Sequence, residues 1–157
     1  MKMTSNKIDI QDRKILKALQ HHCRISAQDL SDKVSMSTAT CWRRIKALEK
    51  KGVIRGYNAQ LDRRALGFEV CAFVNISIES RYSKVVDDIQ QALVERPEVL
   101  ECYATTGESD FTLRVVAKNI EDYDQFLNKF LFELPAIGQV RSSIALREIK
   151  QTTILPL

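Results

Sequence analysis

The sequence predicts an α+β protein in two parts, a basic helical head followed by a body in which strands and helices alternate. Residues 1–60 carry 13 Lys and Arg against 5 Asp and Glu, whereas residues 61–157 carry 11 against 15. Apolar residues recur at helical spacing in the head, and the body adds runs rich in Val, Ile and Phe. A basic head on an acidic body predicts that the head alone binds a polyanion.

The head is predicted to contain three short helices, each preceded by a side chain that can accept a hydrogen bond from the first turn. These caps are Asp9, Ser26 and Ser37. Ser26 is followed three residues later by Asp29, which resembles a capping box with Asp in place of Glu or Gln. Gly52 is expected to end the third helix in the left-handed conformation.

The third helix combines an apolar stripe with a basic face. Cys41, Ile45 and Leu48 fall at i, i+4 and i+7, so they anchor the helix to the rest of the head. On the opposite face Arg can bond guanine edges and Lys can neutralise phosphate, as a helix in the major groove requires. From this stretch alone, the alternative interpretation, a solvated helix pair in another kind of domain, also remains possible. The predicted DNA contacts are Ser37, Thr38, Thr40, Arg43, Arg44, Lys46 and Lys50.

The residues after the third helix complete the predicted head. Residues 53–59 are predicted to form a short strand pair, or wing, and three helices with a wing make a winged helix-turn-helix domain over residues 1–60. The polar segment 61–67, which ends in Gly67, is predicted to be a linker to a second domain over residues 68–157.

The second domain is predicted to have the order β-α-β-β-α-β. Strands are expected over residues 68–79, 99–106, 111–117 and 139–149. One helix starts at Ser83 and stops before Pro97, and a second is capped by Asn119 and ended by Pro135. This order is the ferredoxin-like sandwich, whose helices cover one face of the sheet. The other face bears Phe73, and such a face usually pairs with another copy of the chain, so at least a dimer is expected.

The turn at residues 106–110 is a candidate ligand site. Gly107 supplies a positive φ, and the backbone N–H groups of the turn can converge on a carboxylate. Asp110 can bind a ligand ammonium, or it can accept backbone N–H bonds inside the turn. The spacing alone favours a plain hairpin turn.

Composition and spacing argue against several other classes of protein. There is no apolar run near 18 residues and no signal-peptide pattern at the N-terminus. The four cysteines lack C-x-x-C spacing, so we expect reduced thiols in a cytoplasmic protein. His21, His22 and Cys23 lack further ligands at suitable spacing, so no metal site is predicted. No catalytic triad and no cofactor are predicted.

Taken in order, several stretches resemble the Lrp/AsnC, or feast/famine, family of transcriptional regulators over essentially the whole chain. The matching stretches are residues 12–16, 24–26 with Leu30, 37–44, 48–57, 99–102, 106–110 and 134–135. Thr38 stands where the family usually has Pro, and Trp42 occupies a variable position. The resemblance implies an operator-binding first domain. It also implies a second domain that binds a free amino acid and assembles dimers into larger rings, commonly octamers.

The resemblance also places the effector at the 106–110 turn, between subunits and near the last strand. The effector candidates are Thr105, Thr106, Gly107, Glu108, Ser109, Asp110, Ser142, Ser143 and Ala145. A neutral amino acid such as leucine, methionine or cysteine is expected, because Ile144 and Ala145 add no charge. The function implied is a sequence-specific DNA-binding regulator of amino-acid metabolism and not an enzyme. The alternative is an amino-acid-binding module or small enzyme on a ferredoxin-like dimer, with a head that binds RNA or a protein.

Overall fold

The computed structural model describes residues 8–79 and 82–157, which form two compact units. The first unit ends at Gln60 and also contains the last eight residues, Lys150–Leu157, while the second unit comprises Leu61–Ile149. The structure therefore groups the predicted linker 61–67 with the second unit, and it groups residues 150–157 with the first. Residues 1–7 of the predicted head lie outside the described residues.

The first unit contains the three expected helices, which are α1 (Ile10–His21), α2 (Ala27–Val34) and α3 (Thr38–Lys50). The predicted caps are confirmed, because the side chains of Asp9, Ser26 and Ser37 each accept a hydrogen bond from the backbone N–H three residues later. The apolar stripe of α3 is buried against α1 and α2. The buried core of this unit consists of Ile15, Ala18, Leu30, Val34, Cys41 and Ile45.

The predicted wing is not formed, since residues 53–60 contain no strand. The backbone N–H groups of Val53 and Ile54 both donate to the carbonyl of Leu48, at 2.9 and 3.3 Å. They are therefore used to close the end of α3 and cannot enter a strand ladder. Gly52 adopts a φ of +70°, as predicted for the residue that ends the helix. Ile54 then packs against the helical core.

The second unit is a four-stranded antiparallel sheet in the order β2-β3-β1-β4, with helices on one face. Its elements are β1 (Val70–Ile78), α4 (Ser83–Glu95), β2 (Val99–Ala104), β3 (Phe111–Ala117), α5 (Ile120–Lys129), a 3-10 turn (Leu131–Glu133) and β4 (Ile137–Ile144). This is the predicted ferredoxin-like arrangement. The side chain of Asn119 caps α5, as predicted.

Several boundaries differ from those predicted. β1 and β2 are shorter than expected, at Val70–Ile78 and Val99–Ala104 instead of residues 68–79 and 99–106. The helix expected to continue to Pro135 ends at Lys129, and a 3-10 turn follows it. The last strand spans Ile137–Ile144 instead of residues 139–149. It stops there because its partner β1 begins at Val70, and the last ladder bond joins the N–H of Ala145 to the carbonyl of Cys71.

The two faces of the sheet have different surroundings. Ala72, Val74 and Ile76 of β1 are fully buried under the helices. On the opposite face Phe73 is 45% exposed, as the sequence predicted for an uncovered face. Beside it lies the ion pair between Arg114 and Glu101, whose atoms are 2.6 Å apart. No helix in the described part of the chain is long and apolar enough to cross a membrane.

Replacing a side chain of the second unit's core should destabilise that unit strongly. Leu113 is fully buried in β3, so Leu113→Ala leaves a cavity and should lower the free energy of unfolding by about 2–5 kcal/mol. Leu146 is 93% exposed, so Leu146→Ala should change it by less than about 0.5 kcal/mol. Urea denaturation followed by circular dichroism measures both values. Similar small losses for the two variants would contradict the assigned core.

Candidate nucleic-acid interface and effector turn

The seven predicted DNA contacts occupy one continuous stretch, from the cap of α3 to its last residue. The hydroxyl of Ser37 lies 2.9 Å from that of Thr40 and also caps the helix, so its position is fixed by the first turn. Arg43 and Lys50 are exposed on the side of α3 away from its buried stripe. Neither has a side-chain hydrogen bond or ion pair with the described residues, so both charges face solvent.

Arg44 is engaged differently from its neighbour Arg43. Its Nη1 donates to Asp9 Oδ2 at 2.7 Å and to Asp12 Oδ1 at 2.8 Å, and its side chain is only 28% exposed. The backbone N–H of Asp12 and the Arg44 guanidinium hold the pKa of Asp9 below its usual value. Since Asp9 caps α1, this cluster ties α3 to the start of α1. Its two carboxylate partners favour a structural role for Arg44 over the predicted base or phosphate contact.

Lys46 is exposed but forms an ion pair within its own helix. Its Nζ lies 2.8 Å from Glu49 Oε2 and 5.8 Å from the centre of the Trp42 ring. The phenol of Tyr57 donates to the other carboxylate oxygen of Glu49 at 3.0 Å. Burial, followed by the hydrogen bond to Glu49, raises the pKa of Tyr57 to about 12. Arg43 and Lys50 are therefore the cations of α3 that have no carboxylate partner among the described residues.

The same side chains border a cavity of about 330 Å³ inside the first unit. Its walls come from α1, α2, α3 and the segment around Tyr57, and most of its lining is apolar. The lining residues are Leu19, Cys23, Ile25, Ala27, Leu30, Cys41, Trp42, Ile45, Lys46, Glu49 and Tyr57. Trp42 is 52% exposed at this wall, so it lies at the edge of the domain and not in its core.

The predicted turn at residues 106–110, taken together with Thr105 as the 105–110 turn, is hydrogen-bonded to the end of β1. Gly107 has a φ of +121°, the positive value that the sequence predicted. Asp110 Oδ2 accepts the backbone N–H of Ile78 at 2.7 Å, and the Asp110 N–H donates to the carbonyl of Ile76 at 2.9 Å. One oxygen of Asp110 thus accepts a backbone N–H, as the alternative to ligand binding expected, but the donor lies on β1 and not inside the turn. The hydroxyl of Thr105 closes the turn by donating to the Ser109 carbonyl.

Ala145, the last of the strand candidates, does not lie near the turn within one chain, whereas Ser142 pairs with Val74, two residues from Ile76. Ile76 of β1 pairs with Phe111, which follows the turn, whereas the N–H of Ala145 bonds to Cys71 near the start of β1. Five residues of strand separate these two positions, or about 17 Å at the usual rise per residue. Ser142 accepts a hydrogen bond from Tyr123 on the covered face, at 2.6 Å. Ser143 lies opposite Phe73 in the register of β1 and β4.

One charged residue at the turn was missed by the sequence analysis. Arg141 Nη1 donates to Glu108 Oε2 at 2.8 Å, and both side chains are well exposed, at 59% and 85%. Arg141 directly precedes the candidate Ser142 in the sequence. Its proximity to the turn depends on the β1–β4 register, where it pairs with Asn75, and the strand patterns do not reveal that register.

The comparisons with known proteins agree with both units. A family model described as the Lrp/AsnC ligand binding domain matches residues 71–155, and a winged helix-turn-helix DNA-binding model matches residues 8–55. The chain is 36% identical to the DNA-binding transcriptional activator DecR of Escherichia coli (strain K12), over 96% of this chain and 99% of that protein.

Two solved structures are similar over nearly the whole chain. The AsnC family transcriptional regulator from Agrobacterium tumefaciens is 39% identical, with a TM-score of 0.89. A transcriptional regulator from Neisseria meningitidis, solved as an L-Met complex, is 34% identical, with a TM-score of 0.88. Each comparison covers 94% of this chain and 96% of the other.

Arg44→Ala should destabilise the first unit more than Arg43→Ala does, because only Arg44 bonds two carboxylates. Thermal unfolding of the two variants at neutral pH compares these losses directly. The pKa of Asp9 is lowered in the folded state, so its contribution is present above the ordinary carboxylate pKa and is lost as the pH falls through the folded value. The difference between wild type and Arg44→Ala should therefore shrink in acid. Equal melting temperatures for the two variants would contradict the structural role assigned to Arg44.

Proposed function

Because the chain belongs to the Lrp/AsnC family of transcriptional regulators, we propose that it is a sequence-specific operator-binding regulator of amino-acid metabolism. Its DNA binding or assembly is proposed to respond to a free amino acid. The observation that carries the DNA-binding part is the exposed basic face of α3, set opposite its buried stripe in the helix-turn-helix unit. Two cations on that face, Arg43 and Lys50, have no carboxylate partner among the described residues.

The two cations are proposed to do different work on DNA. Arg43 lies in the second turn of α3, and the N-terminal part of a recognition helix is the part that meets base edges in the major groove. Lys50 is the last residue of the helix, where a flexible ammonium suits a phosphate of the DNA backbone. Specificity is then assigned mainly to Arg43 and general affinity to Lys50.

Arg43→Ala should weaken operator binding and relax its sequence preference, since one bidentate base contact is worth about 1–3 kcal/mol. Lys50→Ala should weaken operator and random DNA by similar factors and reduce the salt dependence of binding. Fluorescence anisotropy with an operator duplex and a scrambled duplex, at several salt concentrations, measures both effects. Arg43→Ala losing the same affinity for both duplexes would make Arg43 a phosphate contact. If wild-type binding is weakened strongly by salt and does not depend on the DNA sequence, the alternative is favoured, in which the head binds RNA or a protein.

The second unit is proposed to hold the amino acid at the 105–110 turn. An amino acid presents a carboxylate and an ammonium, which need a donor group and an acceptor group near each other. The turn offers the backbone N–H groups around Gly107, and the exposed pair of Glu108 and Arg141 adds one charge of each sign. A neutral side chain, such as that of methionine, leucine or cysteine, is proposed because Ile144 and Ala145 contribute no charge. The L-Met complex of the Neisseria meningitidis relative supports this choice.

A second chain is proposed to complete this site. Within one chain the turn and Ala145 lie at opposite ends of β1, so the nine candidate residues can share one ligand only if a neighbouring copy supplies some of them. The uncovered sheet face with Phe73 supports a dimer as the first step of assembly. Further association of dimers into a ring, such as an octamer, is proposed on the family resemblance alone.

Asp110→Asn should abolish the amino-acid response while leaving operator affinity near that of wild type. The substitution removes the charge but keeps an oxygen for the N–H of Ile78, so the turn should keep its shape. Calorimetry with L-methionine and with L-leucine measures binding, and sedimentation with and without them measures assembly. Gly107→Val should act similarly, because a β-branched residue tolerates a positive φ poorly.

Asp88→Asn provides a matched control, since it removes one negative charge from an exposed position of α4 outside the candidate residues. Coupling must be reciprocal, so operator DNA should change the affinity for the amino acid by the same factor. If Asp110→Asn binds the amino acid with wild-type affinity, the turn is a hairpin only.

A further inference from the structure

The last eight residues, Lys150–Leu157, belong to the first unit and bond to α1. The side-chain amide of Gln20 donates from Nε2 to the carbonyl of Leu155 at 3.2 Å. Its Oε1 accepts the backbone N–H of the same Leu155 at 2.6 Å. Gln20 thus pairs with one residue of the tail through both its donor and its acceptor. These two bonds join positions 135 residues apart in the sequence.

The sequence of the tail favours the backbone conformation that this contact requires. Pro156 disfavours the helical conformation at Leu155 and keeps that residue extended, with its N–H and carbonyl free to pair sideways. The N–H of Leu157 turns back to the Leu155 carbonyl at 3.0 Å, and Thr152 accepts the N–H of Ile154 through its hydroxyl at 3.1 Å. The side chain of Leu155 is 65% exposed. Leu155 is therefore bound to α1 through its backbone N–H and carbonyl, and the side chain of Gln20 makes both hydrogen bonds.

The tail is also the direct continuation of β4. Only four residues lie between Ala145, the last effector candidate, and Lys150, where the chain rejoins the first unit. The chain therefore links the two units twice, once at residues 60–61 and once at residues 149–150. The first link follows α3 in sequence, while the second connects the effector-bearing strand to α1.

We propose that α1 is the docking surface for the C-terminal tail, and that the docked tail transmits the effector state of β4 to the DNA-binding helices. Gln20 receives the tail near the end of α1, and the Arg44 cluster ties the start of α1 to α3. A ligand that binds the tail-docked and tail-released states unequally shifts the population between them, and with it the DNA affinity. The transmitting role rests on the amino-acid response proposed above, whereas the docking does not.

Docking is tested by the exchange of the Leu155 amide hydrogen, followed by NMR in the full-length protein. The wild-type amide should be protected, and Gln20→Ala should exchange it at the rate of an unstructured peptide. Gln28→Ala is the matched control, because Gln28 is an exposed helical glutamine bonded only to Asp32 of its own helix. Equal exchange in wild type and Gln20→Ala would overturn the docking.

Transmission is tested from the tail side with two substitutions at one position. Leu155→Pro removes the N–H that Gln20 accepts, whereas Leu155→Ala keeps the backbone bonds and loses only a mostly exposed side chain. The measured quantity is the ratio of operator Kd values without and with saturating L-methionine, and L-leucine serves as a second probe. A wild-type ratio of about 5–150 is expected to fall towards one in Leu155→Pro and Gln20→Ala, and to persist in Leu155→Ala and Gln28→Ala.

The outcomes separate this inference from the proposed function. If the Leu155 amide is protected in wild type and exchanges fast in Gln20→Ala, but the ratio persists in Gln20→Ala and Leu155→Pro, the tail docks but transmits nothing. This result would overturn the transmitting role. A wild type that binds operator but responds to neither amino acid would contradict the proposed function and the transmission together. In that case the exchange measurement would still decide the docking.

Discussion

The pairing of β1 with both β3 and β4 is the constraint on which the arrangement of the second unit depends. Ile76 is held opposite Phe111 on one side and Val140 on the other, so the end of β1 meets the 105–110 turn and the middle of β4 together. The same register brings Arg141 within hydrogen-bonding distance of Glu108. It also carries Ala145 to the opposite end of β1. One set of backbone hydrogen bonds thus places Arg141 next to the turn and keeps Ala145 away from it.

In the first unit, side-chain pairing divides the positive charges between structure and recognition. Arg44 and Lys46 both lie on α3, but each is bonded to carboxylates of its own unit. A guanidinium already held by two aspartates would have to lose both before it reached a base, and its charge is already balanced. Among the cations of α3, Arg43 and Lys50 are therefore the ones whose charge has no carboxylate partner among the described residues.

The sequence predicted those parts of the fold that local chemistry determines. Capping side chains such as Asp9, Ser26 and Asn119 act within one turn, and the apolar periods identify the buried faces, so the helices and the strand order followed from the sequence. The wing failed because the local cap at the end of α3, where the carbonyl of Leu48 accepts the N–H groups of residues 53 and 54, takes up donors that a strand would need. The two carboxylates on Arg44 were missed for a different reason, since Asp9 lies 35 residues away and no periodicity connects it to α3.

In the proposed site, the division of the candidate effector residues along β1 links ligand binding to assembly. A pocket that needs the turn of one chain and the last strand of another exists only in the associated protein. A ligand that binds this form alone stabilises it by mass action, and the stabilisation grows with the logarithm of ligand concentration above Kd. Amino-acid availability would then be sensed as a shift in the size of the assembly. The arrangement of DNA-binding units presented to an operator would change with it, without any change in the residues of α3 that touch DNA.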